Sequence, residues 1–257
     1  MSPAAPNTIV VTGSASGMGL ATAQLLFRAG YSVALVDLSQ AALDKVVSEL
    51  NSSAQGSQKA WGKAANVGST AALKELFAEA QNELGPIYGV AHLAGILGGM
   101  GPVHEQSEED IDRVVQVNFL GTVKVVREAV NVFRAQGNPP ESGYPIVTIG
   151  SFMIAKPVPG SAVYAATKGA VKTFAQAVAK ENAEVGIRIN VVNPGGIRTA
   201  MTEPLIKAVG EGIPRDVVAQ GRWGKPEEVG NMIEFLLSPK ASFITGSTFD
   251  VDGGRNA

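Results

Sequence analysis

The sequence contains no cysteine. Disulfides, thiolate nucleophiles and cysteine-ligated metals are excluded, while no compartment is favoured by that absence. Histidine is nearly as scarce. His92 and His104 are the only two, little raw material for a histidine-rich metal site or a Ser/His/Asp triad, and no metal is expected. No apolar run approaches membrane-spanning length, and residues 1–6 lack the basic and apolar regions of a secretory signal, so the expected location is cytoplasmic. Charge is sparse as well, at 17% of residues with a net charge of -2. That leaves neither a basic footprint for nucleic acid nor a polybasic patch for an anionic membrane, and neither is expected as a partner.

What the chain has is apolar residues (45%) and glycine (30 of 257 residues), the balance of a globular α/β protein large enough to bury a substantial core. The stretch 8–37 organises the rest. A β-branched run ends at Gly13, two more glycines follow at Gly17 and Gly19, an apolar helical pattern runs to Gly30, and a second apolar run ends on Asp37. This is a strand, turn, helix, strand unit. Glycines let the backbone approach a pyrophosphate, and the helix start beyond them offers free N–H groups and a positive dipole end. Asp37, eighteen residues after Gly19, stands where a carboxylate accepts from both adenosine ribose hydroxyls. The spacing is GxxxGxG rather than GxGxxG, and three glycines in a turn are weak evidence until strand, helix and acid fall in register with them.

Strand and helix patterns then alternate, which predicts a parallel sheet. Helices are expected at 40–50, 70–84 (stopped by Gly85 and Pro86), 107–135 (capped by Ser107, with three acids in its first turn), 162–184 and 226–237. Strands are expected at 61–67, 87–93, 144–149, 187–193 and 247–251, and the stretch 194–225, rich in glycine and proline, reads as an irregular lid. With no repeat and no break in composition, the expectation is one domain over residues 1–257, an α/β fold with a Rossmann-type doubly wound parallel sheet of about seven strands and helices on both faces.

Tyr164 and Lys168 lie at i and i+4 of a predicted helix, so they project from one face about one turn apart. A protonated lysine beside a phenol favours phenolate, which predicts a lowered tyrosine pKa and a group able to exchange protons with an alcohol or carbonyl. Ser151 closes a strand thirteen residues upstream, where its hydroxyl can polarise the same substrate oxygen. With these residues the chain resembles the short-chain dehydrogenase/reductase family, and the likeness runs from Thr12 to Gly254. The family's TGxxxGxG turn is matched by residues 12–19, its serine by Ser151, its YxxxK by Tyr164 and Lys168, its helix asparagine by Asn118, and its Pro-Gly segment by the run 193–199. The resemblance implies that Tyr164 is the acid/base, that Lys168 also holds the nicotinamide ribose, that Ser151 orients the substrate oxygen, and that Asn118 holds a water linking Lys168 to solvent. It implies cofactor contacts from Gly13, Ser16, Gly17, Met18, Gly19, Asp37, Leu38, Asn66, Val67, Ala94, Gly95, Tyr164, Lys168, Pro194, Gly195, Ile197 and Thr199. It also implies a homo-oligomer, dimer or tetramer.

Two departures stand out. Where the family commonly has Asn-Asn-Ala-Gly this chain has residues 92–95 as His-Leu-Ala-Gly, which removes an amide that braces the sheet, and His92 reads as a packed strand-end histidine. Asn66 replaces the more usual aspartate, with a side-chain carbonyl still able to accept from an adenine amino group. Asp37 would repel a 2'-phosphate, and neither Ser16 nor Leu38 supplies a compensating cation, so NAD is the expected cofactor. The residues expected around the substrate are Ile96, Leu97, Phe152, Met153, Ile154, Val158, Met201, Leu205 and Trp223, nearly all apolar, which suggests a hydrophobic secondary alcohol or ketone. The reading is an NAD-dependent oxidoreductase passing hydride between nicotinamide and such a substrate. Two alternatives stay open: a cyclase or isomerase that keeps the cofactor as structure, and an NAD-sensing interaction protein.

Overall fold

The structure is a computed structural model that describes residues 7–210 and 212–257. Its strands are β1 (Thr8–Thr12), β2 (Ser32–Asp37), β3 (Ala60–Ala64), β4 (Ile87–His92), β5 (Tyr144–Ile149), β6 (Ile187–Pro194) and β7 (Thr248–Val251). They form one sheet in the order β3-β2-β1-β4-β5-β6-β7, with every pairing parallel. The helices are α1 (Gly17–Arg28), α2 (Gln40–Ser52), α3 (Thr70–Leu84), α4 (Glu108–Val115), α5 (Gly121–Gln136), α6 (Ala162–Asn182), α7 (Glu203–Val209) and α8 (Pro226–Leu237).

Local chemistry starts and stops these elements. Ser39, Ser69 and Ser107 cap α2, α3 and α4 by accepting from the backbone N–H three residues on, which satisfies a donor that the first turn leaves free. β1, β4, β5 and β6 are buried along their whole length, as a parallel sheet covered on both faces requires. One face packs Leu76 and Phe77 of α3, Val125 and Phe133 of α5, and Val178 of α6. The other packs Leu26 and Phe27 of α1, Leu43 of α2, and Ile233 and Leu236 of α8. Because β1 pairs with β2 on one side and β4 on the other, the chain reverses its winding there. The carboxyl ends of these strands open a crevice at that switch point, the place where open α/β sheets bind ligands.

Three expectations are corrected. The third strand ends at Ala64 rather than Val67, because β3 pairs with β2 only up to Asp37 and the chain then turns. Asn66 closes that turn by accepting from Gly68 N–H at 2.8 Å. The long helix expected over 107–135 is split by a π-helical turn, Gln116–Leu120. The lid expected to be irregular holds α7, with Pro204 in its first turn and Gly210, at φ 92°, ending it. Among the described residues no helix is long and apolar enough to cross a membrane.

Candidate active site

The turn after β1 is built by close approach. Gly13 takes φ +69°, and a Cβ there would stand 2.9 Å from the backbone nitrogen of Ala94. A Cβ on Gly19 would stand 1.9 Å from the Gly13 carbonyl oxygen, so no side chain fits between the turn and the start of α1. Ser16, the residue preceding α1, is extended and makes no side-chain cap bond, which leaves the N–H groups at the helix start open to an anion. Asp37 ends β2 beside this turn. Its Oδ2 accepts from Ala15 N–H at 3.0 Å and its Oδ1 from Leu38 N–H at 2.7 Å, while the Leu38 side chain is 74% exposed. Thr199, after β6, lies across the turn, its methyl carbon 3.3 Å from where a Gly17 Cβ would be. Gly195 N–H donates to the Val251 carbonyl at 3.0 Å, tying Pro194 and Gly195 to β7, and Ile197 is buried. The crevice therefore gathers Gly13, Ser16, Gly17, Met18, Gly19, Asp37 and Thr199. This lining fits a dinucleotide: a cradle any Cβ would fill, an open helix start and a carboxylate beyond it.

The chemistry-bearing side chains meet at the same edge of the sheet, past β5. Ser151 is buried, and its backbone is fixed by Asn193, which accepts from Ser151 N–H at 3.2 Å and donates through Nδ2 to Asp250 at 2.8 Å. Ser151 Oγ accepts from Met153 N–H at 3.2 Å, starting a short turn. The Tyr164 phenol on α6 faces the Ser151 hydroxyl, which acts to lower its pKa. Lys168 Nζ lies 5.7 Å from the centre of the Tyr164 ring and donates to the Ile149 carbonyl at 3.1 Å. Burial pushes the Lys168 ammonium down to about 8. The lowered tyrosine pKa expected from this pairing is not found: burial raises the Tyr164 phenol above its usual value, and the Ser151 hydroxyl only opposes the rise. Enclosing the phenol disfavours its charged form, and the lysine is turned toward a carbonyl.

Asn118 sits buried in the π-helical turn. Its Oδ1 accepts from Ile96 N–H at 2.8 Å and its Nδ2 donates to the Ile96 carbonyl at 2.8 Å, a two-way clasp on the loop after β4. A Cβ on Gly95 would be 3.2 Å from Asn118 Oδ1 and 3.4 Å from Lys168 Nζ, so both side chains border Gly95. The sheet bracing that Leu93 cannot provide comes from its neighbours. Thr12 Oγ1 accepts from both Leu93 and Ala94 N–H at 3.2 Å, and it bonds His92 at 2.7 Å.

The apolar residues expected around the substrate divide. Phe152 is buried, and Ile96, Leu97, Met153, Ile154 and Val158 are half-buried. Met201 and Leu205 are 45% and 52% exposed, so they do not wall a closed pocket here. Trp223 is buried against Gly196, where a Cβ would stand 2.8 Å from its ring, and its indole N–H donates to the Gly210 carbonyl at 3.2 Å. A residue that sequence reasoning missed comes from the far end of the chain: the Arg255 guanidinium lies 4.7 Å from the Phe152 ring centre, and Lys156 donates to the Arg255 carbonyl at 3.1 Å. Asn193 and Asp250 were missed too, since only the fold brings them beneath Ser151. A cavity of about 570 Å³ between α8, β7 and the loop after β6 includes Ile197 but none of Ser151, Tyr164 or Lys168. Convergent polar groups identify the site better than cavity size does.

His92 yields a pH prediction. Burial, with the nearby Lys168 charge as a lesser cause, holds its imidazolium down to about 3. The unfolded chain takes up a proton at about 6.5, so stability from neutral His92 is complete above that pH and is lost as pH falls towards 3. Chemical denaturation at pH 7 and about pH 4 should show the wild type losing about 3 kcal/mol more than His92→Gln.

Comparison with known proteins agrees with this arrangement. A family model described as enoyl-(acyl carrier protein) reductase matches residues 13–256. Cyclohexanol dehydrogenase of Acinetobacter sp. is 36% identical over 244 residues, covering 95% of this chain and 92% of that one. A protein described as inactive 2-(S)-hydroxypropyl-CoM dehydrogenase 2, from Xanthobacter autotrophicus, is 35% identical over 91% of this chain and 99% of its own length. The crystal structure of 3-ketoacyl-(acyl-carrier-protein) reductase from Brucella melitensis, complexed with NADH, superposes with a TM-score of 0.86 at 30% identity over 98% of both chains. With a seven-stranded parallel sheet, a glycine turn at its switch point and Ser151, Tyr164 and Lys168 beside it, the chain belongs to the short-chain dehydrogenase/reductase family.

Proposed function

We propose that this protein is an NAD-dependent oxidoreductase that interconverts a hydrophobic secondary alcohol and its ketone, with Tyr164 as acid/base. The observation that carries the reading is the convergence of Ser151, Tyr164 and Lys168 on one point beside the glycine turn. Asp37 favours NAD, because its carboxylate suits two ribose hydroxyls and repels a 2'-phosphate. The turn 13–19 and the start of α1 would hold the pyrophosphate, Asn66 and Val67 would flank the adenine, and Ala94, Gly95, Pro194, Gly195, Ile197 and Thr199 would line the nicotinamide half.

A nicotinamide held in this crevice would supply the hydride acceptor or donor for the substrate carbon. The protein's own groups handle the oxygen. Ser151 Oγ and Tyr164 Oη hold it between them, and in reduction the phenol gives it a proton as the carbon–oxygen double bond becomes single. The raised pKa suits that direction, since the phenol is protonated at neutral pH. In oxidation the phenolate takes the hydroxyl proton, and the Lys168 ammonium stabilises that phenolate. The half-buried Ile96, Leu97, Met153 and Ile154 offer such a substrate an apolar wall. The reading includes a homo-oligomer, dimer or tetramer, supported by the family resemblance, and a cytoplasmic location.

The test supplies cyclohexanol and cyclopentanol with NAD and follows nicotinamide absorbance. Substrate-dependent NADH formation at a rate at least tenfold above that with NADP supports the reading. Steady reduction of NADP in preference to NAD would overturn the role given to Asp37. Tight NADH binding without turnover of these or a wider set of apolar alcohols and ketones would favour the non-redox alternatives.

A further inference from the structure

We propose that His92 is a positioning residue, which through Thr122 fixes the Asn118 turn against Lys168. The inference rests on the oxidoreductase reading above.

Donor counting fixes the direction of the chain of bonds. Thr122 Oγ1 lies 2.6 Å from the Asn118 carbonyl oxygen, which can only accept, so the threonine's single hydrogen points there. His92 Nε2 lies 3.0 Å from the same Thr122 oxygen and must therefore donate to it. A neutral imidazole with hydrogen on Nε2 has a bare Nδ1, which accepts from the Thr12 hydroxyl at 2.7 Å. The Thr12 oxygen in turn accepts from Leu93 and Ala94 N–H. The bonds run one way, from the backbone of residues 93 and 94 through Thr12, His92 and Thr122 to the Asn118 carbonyl. Thr12, His92, Thr122 and Asn118 are each at most 2% exposed, so water does not compete and each bond polarises the next.

The two ends of this chain are the two halves of the site. Thr12 and Ala94 flank Gly13, against which the cofactor turn is packed. Asn118 clasps Ile96, donates through Nδ2 to Thr167 Oγ1, next to Lys168 in the chain, at 3.4 Å, and borders Gly95 as Lys168 Nζ does. A π-helical turn lacks the regular i to i−4 bonds that hold an α-helix in register, and the Thr122 hydroxyl, held by His92, supplies a bond to its Asn118 carbonyl. His92 thus sets the proton-handling side chains relative to the cofactor turn. Loosening it should disturb the alignment of hydride and proton transfer more than cofactor affinity.

The variants are His92→Asn, whose shorter side chain does not reach Thr122, Thr122→Val, which removes the link, and His92→Gln, whose amide can restore the donor. With cyclohexanol and NAD, His92→Asn and Thr122→Val should lose about tenfold or more in kcat, with KM and NADH affinity changed less than about threefold. His92→Gln should recover most of the loss. Unchanged kcat with only a lower Tm in both variants would make the chain purely structural and overturn the proposal. Two arms need no turnover. Ring-nitrogen NMR of His104→Gln protein, where His92 is the sole histidine, should show hydrogen on Nε2 from about pH 5 to pH 9. Hydrogen on Nδ1 would overturn the proposal. Side-chain NMR of Lys168, whose proton is held to about 8, should show its midpoint moving by roughly half a pH unit in Thr122→Val, and an unmoved midpoint would likewise overturn it. If the wild type oxidises no alcohol while both NMR arms give the expected result, the oxidoreductase reading fails and the positioning of Asn118 against Lys168 by His92 stands.

Discussion

Tyr164→Phe should lower turnover by about 10²- to 10⁴-fold while leaving NADH affinity within about twofold. The change removes one oxygen and keeps the ring. In the proposed mechanism the substrate oxygen then loses the phenol that exchanges a proton with it, while Ser151 remains. Lys168 stays fixed by the Ile149 carbonyl, so whatever it contributes to cofactor binding survives the substitution. Steady-state rates with an apolar alcohol and fluorescence titration with NADH separate the two quantities. Loss of both together would mean that Tyr164 holds the fold of the site rather than performing its chemistry.

Gly19→Ala should have the opposite signature. The added methyl would meet the Gly13 carbonyl at 1.9 Å and the Gly13 carbonyl carbon at 2.6 Å, both backbone atoms with no rotamer to escape into. Either the turn opens or the start of α1 withdraws, and each movement spoils the cradle. The expected cost is about 2–3 kcal/mol of stability and roughly 30-fold or more in NADH affinity, about 2 kcal/mol. Denaturant titration and NADH titration measure the two effects. A variant that binds NADH normally would show that the turn is not the phosphate cradle.

Most of this architecture is legible in the sequence because its signals are local. Serine caps, glycine stops and alternating apolar runs locate nearly every element, and the glycine turn, Asp37 and the Tyr164–Lys168 spacing mark the crevice. What is not legible depends on partners distant in the chain. The π-helical turn is one such feature: residues 116–120 contain no glycine or proline to break a regular helix, and the turn is held by Ile96, 22 residues away, and by Thr122. The end of β3 is another, set by where pairing with β2 runs out rather than by its own apolar run. The helix in the lid carried readable signals in Pro204 and Gly210, overshadowed by the loop-forming composition around them. Asn193 and Asp250 beneath Ser151 required the ends of β6 and β7 to be brought together. The tyrosine pKa misled for a further reason: sequence spacing shows a neighbouring charge but not the degree of burial, and burial is the larger influence. His92 reads correctly as a packed residue, yet its bonding partners lie 80 and 30 residues away.

The most direct test of the account is a titration with NADH and then NADPH, following energy transfer from Trp61 and Trp223 to the nicotinamide, since it needs no known substrate. The account predicts NADH binding at least tenfold tighter than NADPH, a gap of about 1.4 kcal/mol, as the Asp37 carboxylate repels the extra phosphate. Reproducible binding of neither nucleotide would contradict it at its first step.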